Sequence, residues 1–459
     1  MNAITGDGRA VASGSLTEHL ADILRRPVGD EERALAALHV VDWLGGAVAA
    51  SRTPEGTILR RFGSSAAGGP SRLIGVGWRD AGRAAFVNAG LSLVLELDST
   101  HREAKLHPGP VVIAAALAVA QRDNVGGHCF LDAVVRGYEA IIRVGESVGP
   151  AHYAKHHSTS TCGPFGAAGA AGSIARLSHA EMVHALGNAG TGTGGVWQCR
   201  AEGAMSKPLH VGAAAEAGIV AADLAALGLT GPRLVLEGAL GMYAATCPDA
   251  DPEAIGRPSG TDWKISETSL KPWPGCRHVH PAIDAALAVR TDLADRGLSA
   301  FDVDAIHVST YPEALSFGDR RHPVDEHEAM FSLQHVVAAA LCEGDVTLDT
   351  FQPDRLHRGP VAELRTRVQV RSDKLFTSLY PRHWGAQVRV QTVAGDISAR
   401  CDDPRGDPEA PMRAPEICHK AQNLLIRGGL APQAAVDLIA AVQRLGDDEP
   451  VSTLSGLLP

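Results

Sequence analysis

Apolar residues recur every three or four positions through most of the chain up to about residue 262, which is typical of amphipathic helices. LTEHLADILRR, EERALAALHVVDWLGGAVAAS and FLDAVVRGYEAIIRVGESV show this period clearly. GPFGAAGAAGSIARL and HVGAAAEAGIVAADLAALG keep the period but are rich in Gly and Ala. Because glycine costs about 1 kcal/mol relative to alanine inside a helix, this density predicts a buried helix pair whose backbones approach closely.

The pattern changes from about Trp263 to residue 403. Apolar and polar residues alternate in FDVDAIHVSTYPEAL, RTRVQVRSDK and GAQVRVQTVAGDISARCD, as in β-strands, and EAMFSLQHVVAAALCEG between them is helical. PRGDPEAP marks a boundary, after which PEICHKAQNLLIRGGL and AVDLIAAVQRL return to helix and are expected to pack on the first domain. The patterns predict a mainly α protein, with a large all-helical domain over residues 1–265 and 404–459 and a smaller α+β domain over residues 266–403.

Length and charge narrow the class of protein. A chain of 459 residues is expected to form two domains. Its net charge of -10 argues against a nucleic-acid partner, but a local cationic cluster can still bind a small anion. The eight cysteines include no CxxC pair, which favours reduced cytosolic thiols. The polar N-terminus lacks the apolar core of a secretory signal, and no apolar run is expected to reach the length needed to span a bilayer. We therefore expect a cytoplasmic protein with no membrane partner.

Ionisable groups are concentrated in residues 95–112, LELDSTHREAKLHPGPVV, between two apolar runs. Glu96, Thr100 and His107 are the candidates for chemistry in this segment. A solvated surface loop does not need apolar flanks, so the pattern favours the wall of a site. The alternative is an ordinary helix-to-helix turn with a polar tip.

Two further clusters precede the Gly- and Ala-rich helices. HYAKHHSTSTCGPFG contains Tyr153 and His157; its Ser and Thr residues suit helix capping, and the same helix end suits an anion site with a histidine base. WQCRAEGAMSKPLHVG contains Arg200 and Lys207. A lone lysine is usually a surface residue, but the small apolar flanks favour partial burial. Burial is expected to lower the pKa of Lys207 and suit it to act as a base.

A fourth cluster, SLKPWPGCRHVHPAID, lies near the predicted domain boundary and contains Lys271, Arg277 and His280. Several cations in one short loop favour a segment that faces a cleft between the domains. The alternative is a rigid linker with exposed histidines. The chain lacks GxGxxG after a strand, a P-loop, HExxH and GxSxG, so these signatures of nucleotide binding, zinc proteolysis and serine hydrolysis do not apply.

Taken in order, these segments resemble the MmgE/PrpD family over roughly residues 16–425. The motifs that carry the resemblance are VVDWLGGAVAAS, NAGLSLVLELDSTH with LHPGPVV, RGYEAIIRVG, HHSTSTCGPFGAAGAA, SKPLHVGAAAEAGIVAADLAALGLTGP, LKPWPGCRHVHPAID, HEAMFSLQHVVAAAL and GDPEAP. The resemblance implies a helical domain built from both chain ends and an α+β lid domain. It also implies a homodimer without metal or organic cofactor, whose interdomain cleft takes small polycarboxylates.

Individual residues match the family's motifs. The matching positions are Thr100, His107, His157, Lys207, Lys271 and His280. The chain departs from the pattern LDFDDT, because Glu96 and Ser99 replace two aspartates. The gap from Thr100 to His107 is also one residue longer than in the family's decarboxylases.

The resemblance implies an enzyme that breaks or makes a C–H bond next to a carboxylate. We predict catalytic roles for four residues: Lys207, His107, His157 and Tyr153. We predict substrate binding by six others: Glu96, Thr100, Arg200, Lys271, Arg277 and His280. The altered acidic loop favours an epimerase of an iminodisuccinate-type dicarboxylate. The alternatives are a 2-methylcitrate-type dehydratase, a cis-aconitate-type decarboxylase and, from a different class, a non-catalytic carboxylate-binding protein.

Overall fold

Helices account for about two thirds of the described chain up to residue 246, as the apolar period predicts. The computed structural model describes residues 14–258 and 263–459. Residues 1–13 and 259–262 lie outside the described residues. The prediction that the N-terminus carries no secretory signal falls largely on residues 1–13. The helices of this part are Leu16–Leu24 (α1), Asp30–Ala50 (α2), Pro54–Ser64 (α3), Ala81–Val94 (α4), Pro108–Arg122 (α5), Gly127–Ser147 (α6), Gly149–Tyr153 (α7), Ser158–Ile174 (α8), His179–Thr191 (α9), Gln198–Glu202 (α10), Lys207–Ala226 (α11) and Met242–Thr246 (α12).

A short antiparallel hairpin interrupts these helices, between Ser71–Leu73 (β1) and Gly77–Arg79 (β2). The sequence prediction of helices alone was wrong here. Gly75 and Gly77 have φ values of 72° and 120° in the turn, a left-handed region that glycine enters without a steric penalty. Strands of three residues are too short for an alternating pattern to stand out.

The predicted close helix pair is confirmed, and it consists of α8 and α11. A Cβ atom placed on Gly218 of α11 would lie 2.3 Å from Cβ of Ala167 and 2.7 Å from the carbonyl oxygen of Pro164 in α8. A larger side chain would therefore force the two helices apart. The small residues bring the starts of both helices, which carry predicted site residues, close to each other.

The lid domain, which follows the loop around residue 275, combines a four-stranded sheet with helices. The strand order is β4-β3-β5-β6, in which β3 and β4 are parallel and the other pairs antiparallel. The alternating segments of the sequence form these strands, so the predicted α+β character is confirmed. The elements are His280–Asp295 (α13), Val303–Thr310 (β3), Pro312–Gly318 (α14), Glu326–Met330 (α15), Leu333–Glu343 (α16), Pro353–His357 (α17), Pro360–Arg365 (α18), Val368–Ser372 (β4), Lys374–Leu379 (α19), Ala386–Thr392 (β5) and Gly395–Cys401 (β6).

The end of the chain returns to the helical domain through Ala414–Arg427 (α20), Pro432–Arg444 (α21) and Ser452–Ser455 (α22). Helix α20 packs against α2, where a Cβ atom on Gly45 would lie 3.0 Å from Cα of Ala421. The apolar side chains of α20 and α21 join the same buried cluster as those of α1 to α12. A second cluster, beginning at Trp273, fills the lid domain.

Within residues 14–258 and 263–459, two helices are long and apolar enough to cross a membrane by length and composition alone, α2 and α11. The expectation that no apolar segment reaches that length was therefore wrong. Most of α2 is buried within the helical domain, whereas only half of the apolar stretch of α11 is buried. The packing of α2 accounts for its hydropathy as that of a core helix.

Candidate active site

Four of the predicted site residues lie at helix N-termini. His107 is the N-cap residue of α5 and His157 that of α8, while Lys207 and His280 are the first residues of α11 and α13. The rings of His107 and His157 lie 6.4 Å apart. Because free N–H groups at a helix start carry partial positive charge, this arrangement favours an anionic ligand.

The loop between α4 and α5 carries the largest number of site residues. Thr100 exchanges two backbone hydrogen bonds with Ser269, of 2.9 and 2.8 Å, which attach the loop to the segment entering the lid domain. Glu96 and Lys105 both have a φ of 50°, a left-handed conformation that costs a non-glycine residue roughly 1–2 kcal/mol. The loop therefore keeps a conformation that its own residues disfavour, as is common where function requires it.

Alternating charges form a continuous chain through the site. Nζ of Lys207 lies 2.5 Å from Oε1 of Glu96. Nζ of Lys271 lies 3.6 Å from Oε2 of Glu96 and 3.3 Å from Oδ1 of Asp98. Oδ2 of Asp98 lies 2.5 Å from Nδ1 of His107. We call Lys207, Glu96, Lys271, Asp98 and His107 the charge chain.

The charge chain favours the charged forms of Lys207, Glu96 and Asp98. Burial alone would lower the pKa of Lys207, but the carboxylates of Glu96 and Asp98 outweigh it and raise that pKa. Burial would raise the pKa of Glu96, but the ammonium groups of Lys207 and Lys271 lower it below the usual value. Asp98 behaves in the same way, since His107 and Lys271 more than offset its burial and lower its pKa. The prediction of a lowered pKa for Lys207 was therefore wrong, because a neighbouring carboxylate counteracts its burial.

Protein oxygens surround only one of the two ring nitrogens of His107. In addition to Asp98, the carbonyl oxygen of Ser99 lies 3.2 Å and Oγ1 of Thr100 lies 3.3 Å from Nδ1. The backbone N–H of His107 donates to Oγ1 of Thr159 at 3.0 Å. Oxygen acceptors around Nδ1 favour a proton on that atom. They leave Nε2 as the nitrogen that is suited to contact a ligand.

His157 is buried opposite His107 and is held in its neutral form. Its Nδ1 lies 3.3 Å from Nδ1 of His210, and its ring packs 4.5 Å from that of Trp197. Burial, together with the positive charges of Lys207 and His107, lowers its pKa well below 6.5. Its Nε2 has no hydrogen-bond partner in the described part of the chain. An orphaned buried nitrogen beside two cationic groups is suited to contact a ligand.

The hinge-side cations lie deeper than the sequence suggests. Lys271 is fully buried and donates to the backbone oxygen of Glu96 at 3.0 Å. Arg277 is bound to the carboxylate of Asp407 and donates to Nδ1 of His280 at 2.9 Å. Nε2 of His280 is buried without a hydrogen-bond partner among the described residues. Their substrate-binding roles stay predictions, and the observed contacts of Lys271 and Arg277 are with protein groups.

Tyr153 and Arg200 lie at a different side of the site, among aromatic rings shared by both domains. The ring of Tyr153 packs edge-on to Trp197 at 6.1 Å and stacks on Phe317 of α14 at 6.3 Å. The guanidinium carbon of Arg200 lies 3.8 Å from the centre of the Phe317 ring. Burial raises the pKa of Tyr153, so its hydroxyl stays protonated at neutral pH.

Sequence reasoning missed several residues that complete this site. Asp98 orients His107, although it was named only as part of the polar segment. His210 contacts His157, and it follows Lys207 by three residues, a spacing that places both on one side of α11. His278 stacks on Phe317 at 4.7 Å, a contact between distant segments that the sequence does not announce.

In the part of the chain that the structure describes, two groups of acidic and histidine side chains are close enough to hold a metal ion, and each already surrounds a cationic side chain. The first group is His101, Glu146 and Glu267, with Nζ of Lys264 at 3.0 Å from Glu146 and 2.8 Å from Glu267. The second group is His383, Asp403 and Glu409, and the guanidinium of Arg102 binds its two carboxylates. Both groups are balanced by these cations.

Comparison with known proteins agrees with this architecture. The MmgE/PrpD N-terminal domain matches residues 14–255, and the MmgE/PrpD C-terminal domain matches residues 273–445. The chain belongs to the MmgE/PrpD family, which confirms the resemblance seen in its motifs.

Named relatives include cis-aconitate decarboxylases from animals and fungi. The protein of that name from Homo sapiens is 32% identical over 395 residues, which cover 82% of this chain and 79% of the relative. The one from Mus musculus is 28% identical, with 82% and 78% covered. The one from Aspergillus terreus is 25% identical, with 84% of each chain covered.

Proposed function

We propose that this protein decarboxylates a small unsaturated tricarboxylate of the cis-aconitate type. Family membership and the named relatives support an enzyme that acts on a small polycarboxylate, and the relatives favour decarboxylation within that class. This choice differs from the epimerase that the altered acidic loop favours.

The proposed reaction requires a proton donor and a positive environment. The bond between a methylene carbon and its carboxylate breaks, CO₂ leaves, and a new double bond forms at that methylene carbon. The electron pair of the old double bond moves to the carbon next to the other terminal carboxylate, which gives an enediolate. One proton then adds to this carbon. Cations fixed near the enediolate oxygens lower the barrier.

One observation carries the proposal, namely that Glu96 holds Lys207 as an ammonium ion beside two histidines. Lys207 in this form stabilises an enediolate and offers a proton, but it is a poor base. His107, with Asp98 at its Nδ1, is the second candidate for the proton donor through Nε2. His157 remains neutral and contacts the substrate through its unpartnered Nε2. Thr100 and Arg200 are proposed to bind its carboxylates.

Epimerisation of an iminodisuccinate-type dicarboxylate is the second candidate. It needs a base on one side of the substrate and an acid on the other. The contact between Asp98 and His107 favours it, because a carboxylate at Nδ1 suits a histidine to take a proton at Nε2. Lys207 would then return a proton to the opposite face.

Proton NMR in D₂O separates these reactions. With cis-aconitate, the decarboxylase is expected to release one equivalent of CO₂ and to place one deuterium on the carbon next to the retained terminal carboxylate. With a single stereoisomer of iminodisuccinate, the epimerase is expected to exchange the α-proton with loss of optical purity. A signal only with 2-methylcitrate would identify a dehydratase. Binding without turnover of any of the three would leave a carboxylate-binding protein.

We also propose that two copies of the chain associate through the exposed side of α11. Leu209, Val220 and Leu224 of α11 are 52, 48 and 38% exposed, and Leu227 beyond it is 84% exposed. Clustered apolar residues of this kind favour a protein interface. Light scattering is expected to give twice the chain mass, and Leu224→Glu is expected to give the monomer. A wild-type monomer at micromolar concentration would contradict the proposal.

The cytoplasm is the compartment we propose. All eight cysteines are free thiols, at 129, 162, 199, 247, 276, 342, 401 and 418, which suits a reducing compartment. Cell fractionation tests this proposal.

A further inference from the structure

The lysine charges of the charge chain are already balanced by the protein's own carboxylates. The two lysines, Lys207 and Lys271, face two carboxylates, Glu96 and Asp98. Arg277 is similarly balanced by Asp407. A substrate with three carboxylates brings up to three negative charges, and burying them without partners is costly. Further cations at the interdomain surface are therefore needed.

Lys105 is a cation whose position meets this need. It lies two residues before His107 on the same loop, with a left-handed backbone at a φ of 50°. Its Nζ lies 5.4 Å from the ring centre of Tyr153 in the helical domain and 5.0 Å from that of Tyr380 in the lid domain. The side chain therefore bridges the two domains beside the site.

The ammonium group of Lys105 is incompletely compensated. No carboxylate lies within 4.0 Å of it, and no hydrogen-bond acceptor contacts it, in residues 14–258 and 263–459. Its side chain is half-buried, and burial lowers its pKa in spite of the more distant charges of Glu313 and Asp249. A bound carboxylate would supply both the missing charge and the missing acceptor.

The surroundings of Lys105 connect it to the rest of the site. Tyr153 stacks on Phe317, whose ring also carries Arg200 and His278. Burial, together with the charges of Lys105, Arg200 and His107, lowers the pKa of His278 to about 3. These groups therefore share one electrostatic neighbourhood with His107.

We propose that Lys105 binds a terminal carboxylate of the substrate and thereby selects tricarboxylates over dicarboxylates. The inference rests on the proposed function for the class of substrate. It adds a specificity-determining residue that the motif comparison did not single out. The cation–π contacts with Tyr153 and Tyr380 hold the ammonium in place without neutralising its charge, so it remains available to an anion.

Calorimetry with unreactive ligands tests the proposal without turnover. Tricarballylate has three carboxylates, and methylsuccinate has the same skeleton without one terminal carboxylate. The wild-type protein is expected to bind tricarballylate more tightly. Lys105→Met is expected to weaken tricarballylate binding by roughly 10- to 100-fold, the loss typical of a charged hydrogen bond, and to change methylsuccinate binding by less than about threefold. Lys105→Arg is expected to restore most of the affinity.

Lys155→Met is the matched control, since Lys155 is an exposed lysine near the same site, and it is expected to leave both affinities unchanged. Equal loss of both ligands in Lys105→Met would overturn the proposal in favour of a purely structural clip between the domains. Unchanged affinity of Lys105→Met for tricarballylate would also overturn the proposal. If Lys105→Met does not fold, as judged by its melting curve, Lys105→Gln is used in its place. A wild-type protein that binds both ligands equally would also overturn the proposal. Absence of turnover with cis-aconitate would refute only the proposed reaction, since these affinities do not depend on it.

Discussion

Replacement of Glu96 by glutamine removes a buried carboxylate that lies between the ammonium groups of Lys207 and Lys271. At separations of 2.5 Å from Lys207 and 3.6 Å from Lys271, Coulomb's law with an effective dielectric constant of about 20 gives roughly 7 and 5 kcal/mol of attraction. Desolvation of the carboxylate offsets several kcal/mol of this sum. We therefore expect Glu96→Gln to lower the free energy of unfolding by about 3–5 kcal/mol at neutral pH, as for other buried ion pairs that lose one partner.

Urea unfolding followed by tryptophan fluorescence measures this difference, because a change in the midpoint at constant slope reports a change in stability. Glu103→Gln is the control, since Glu103 is an exposed carboxylate on the same loop, and we expect it to change the stability by less than about 0.5 kcal/mol. If Glu96→Gln lowered the free energy of unfolding by less than about 1 kcal/mol, the ion pairs of Glu96 with Lys207 and Lys271 would contribute no more than exposed ion pairs do. That result would refute the reasoning.

The pH dependence of the same comparison provides a second check. The pKa of Glu96 is lower in the folded protein than its usual value of 4.5. The stabilisation by its carboxylate is therefore complete above pH 4.5 and is lost as the pH falls through the lower, folded pKa. The difference between wild type and Glu96→Gln should stay constant from neutral pH to about pH 5 and shrink only in more acidic solution. A difference that peaks in acid would contradict this assignment.

Three further outcomes follow from the site and its supporting helices. Lys207→Met is expected to lower kcat by roughly 10²-fold or more, and a steady-state assay in which kcat stays within a factor of three of wild type would exclude Lys207 as a proton donor. Gly218→Ala is expected to destabilise the protein by about 1–3 kcal/mol, because the new Cβ would lie 2.3 Å from that of Ala167; Gly192→Ala, with nothing within 4 Å, is the control in thermal melts. The pKa of His157 is lowered well below 6.5, so its imidazole should show no titration by ¹⁵N NMR between neutral pH and pH 6. Its burial should also lower the stability of the protein as the pH falls below 6.5, because only the unfolded chain then takes up the proton. A titration of His157 near pH 6.5 would show that it is exposed to water.

Periodicity and small-residue content predicted much of the fold. The Gly-rich segments formed the α8–α11 pair, and the alternating segments formed the sheet of the lid domain, because both signals arise from residues close together in sequence. The hairpin at residues 71–79 escaped prediction, because two positive-φ glycines and six strand residues leave almost no pattern.

The site depends on contacts between segments that lie far apart in the sequence, which local patterns do not predict. Thr100 and His107 were predicted on one loop and do contact each other, and His157 lies beside them. The sequence predicted the wrong direction for the pKa shift of Lys207. Its apolar flanks indicate burial, but its partner Glu96 comes from a segment 111 residues away and cannot be foreseen from them. Arg277 was predicted to bind substrate, and its partner Asp407 comes from 130 residues further along the chain.

Asp407 has a consequence for how the protein is made. This fully buried carboxylate binds Arg102 from the site loop, accepts a hydrogen bond from Ser269 and pairs with Arg277. Chains fold from the N-terminus as they leave the ribosome. The site loop and the hinge loop therefore cannot form their contacts with Asp407 until the ribosome has added some 300 residues after Arg102. A nascent chain that carries every predicted catalytic residue but stops before Asp403 leaves the buried guanidinium groups of Arg102 and Arg277 without their carboxylate partners. Assembly of the site is therefore a late event of biosynthesis, coupled to the return of the chain from the lid domain.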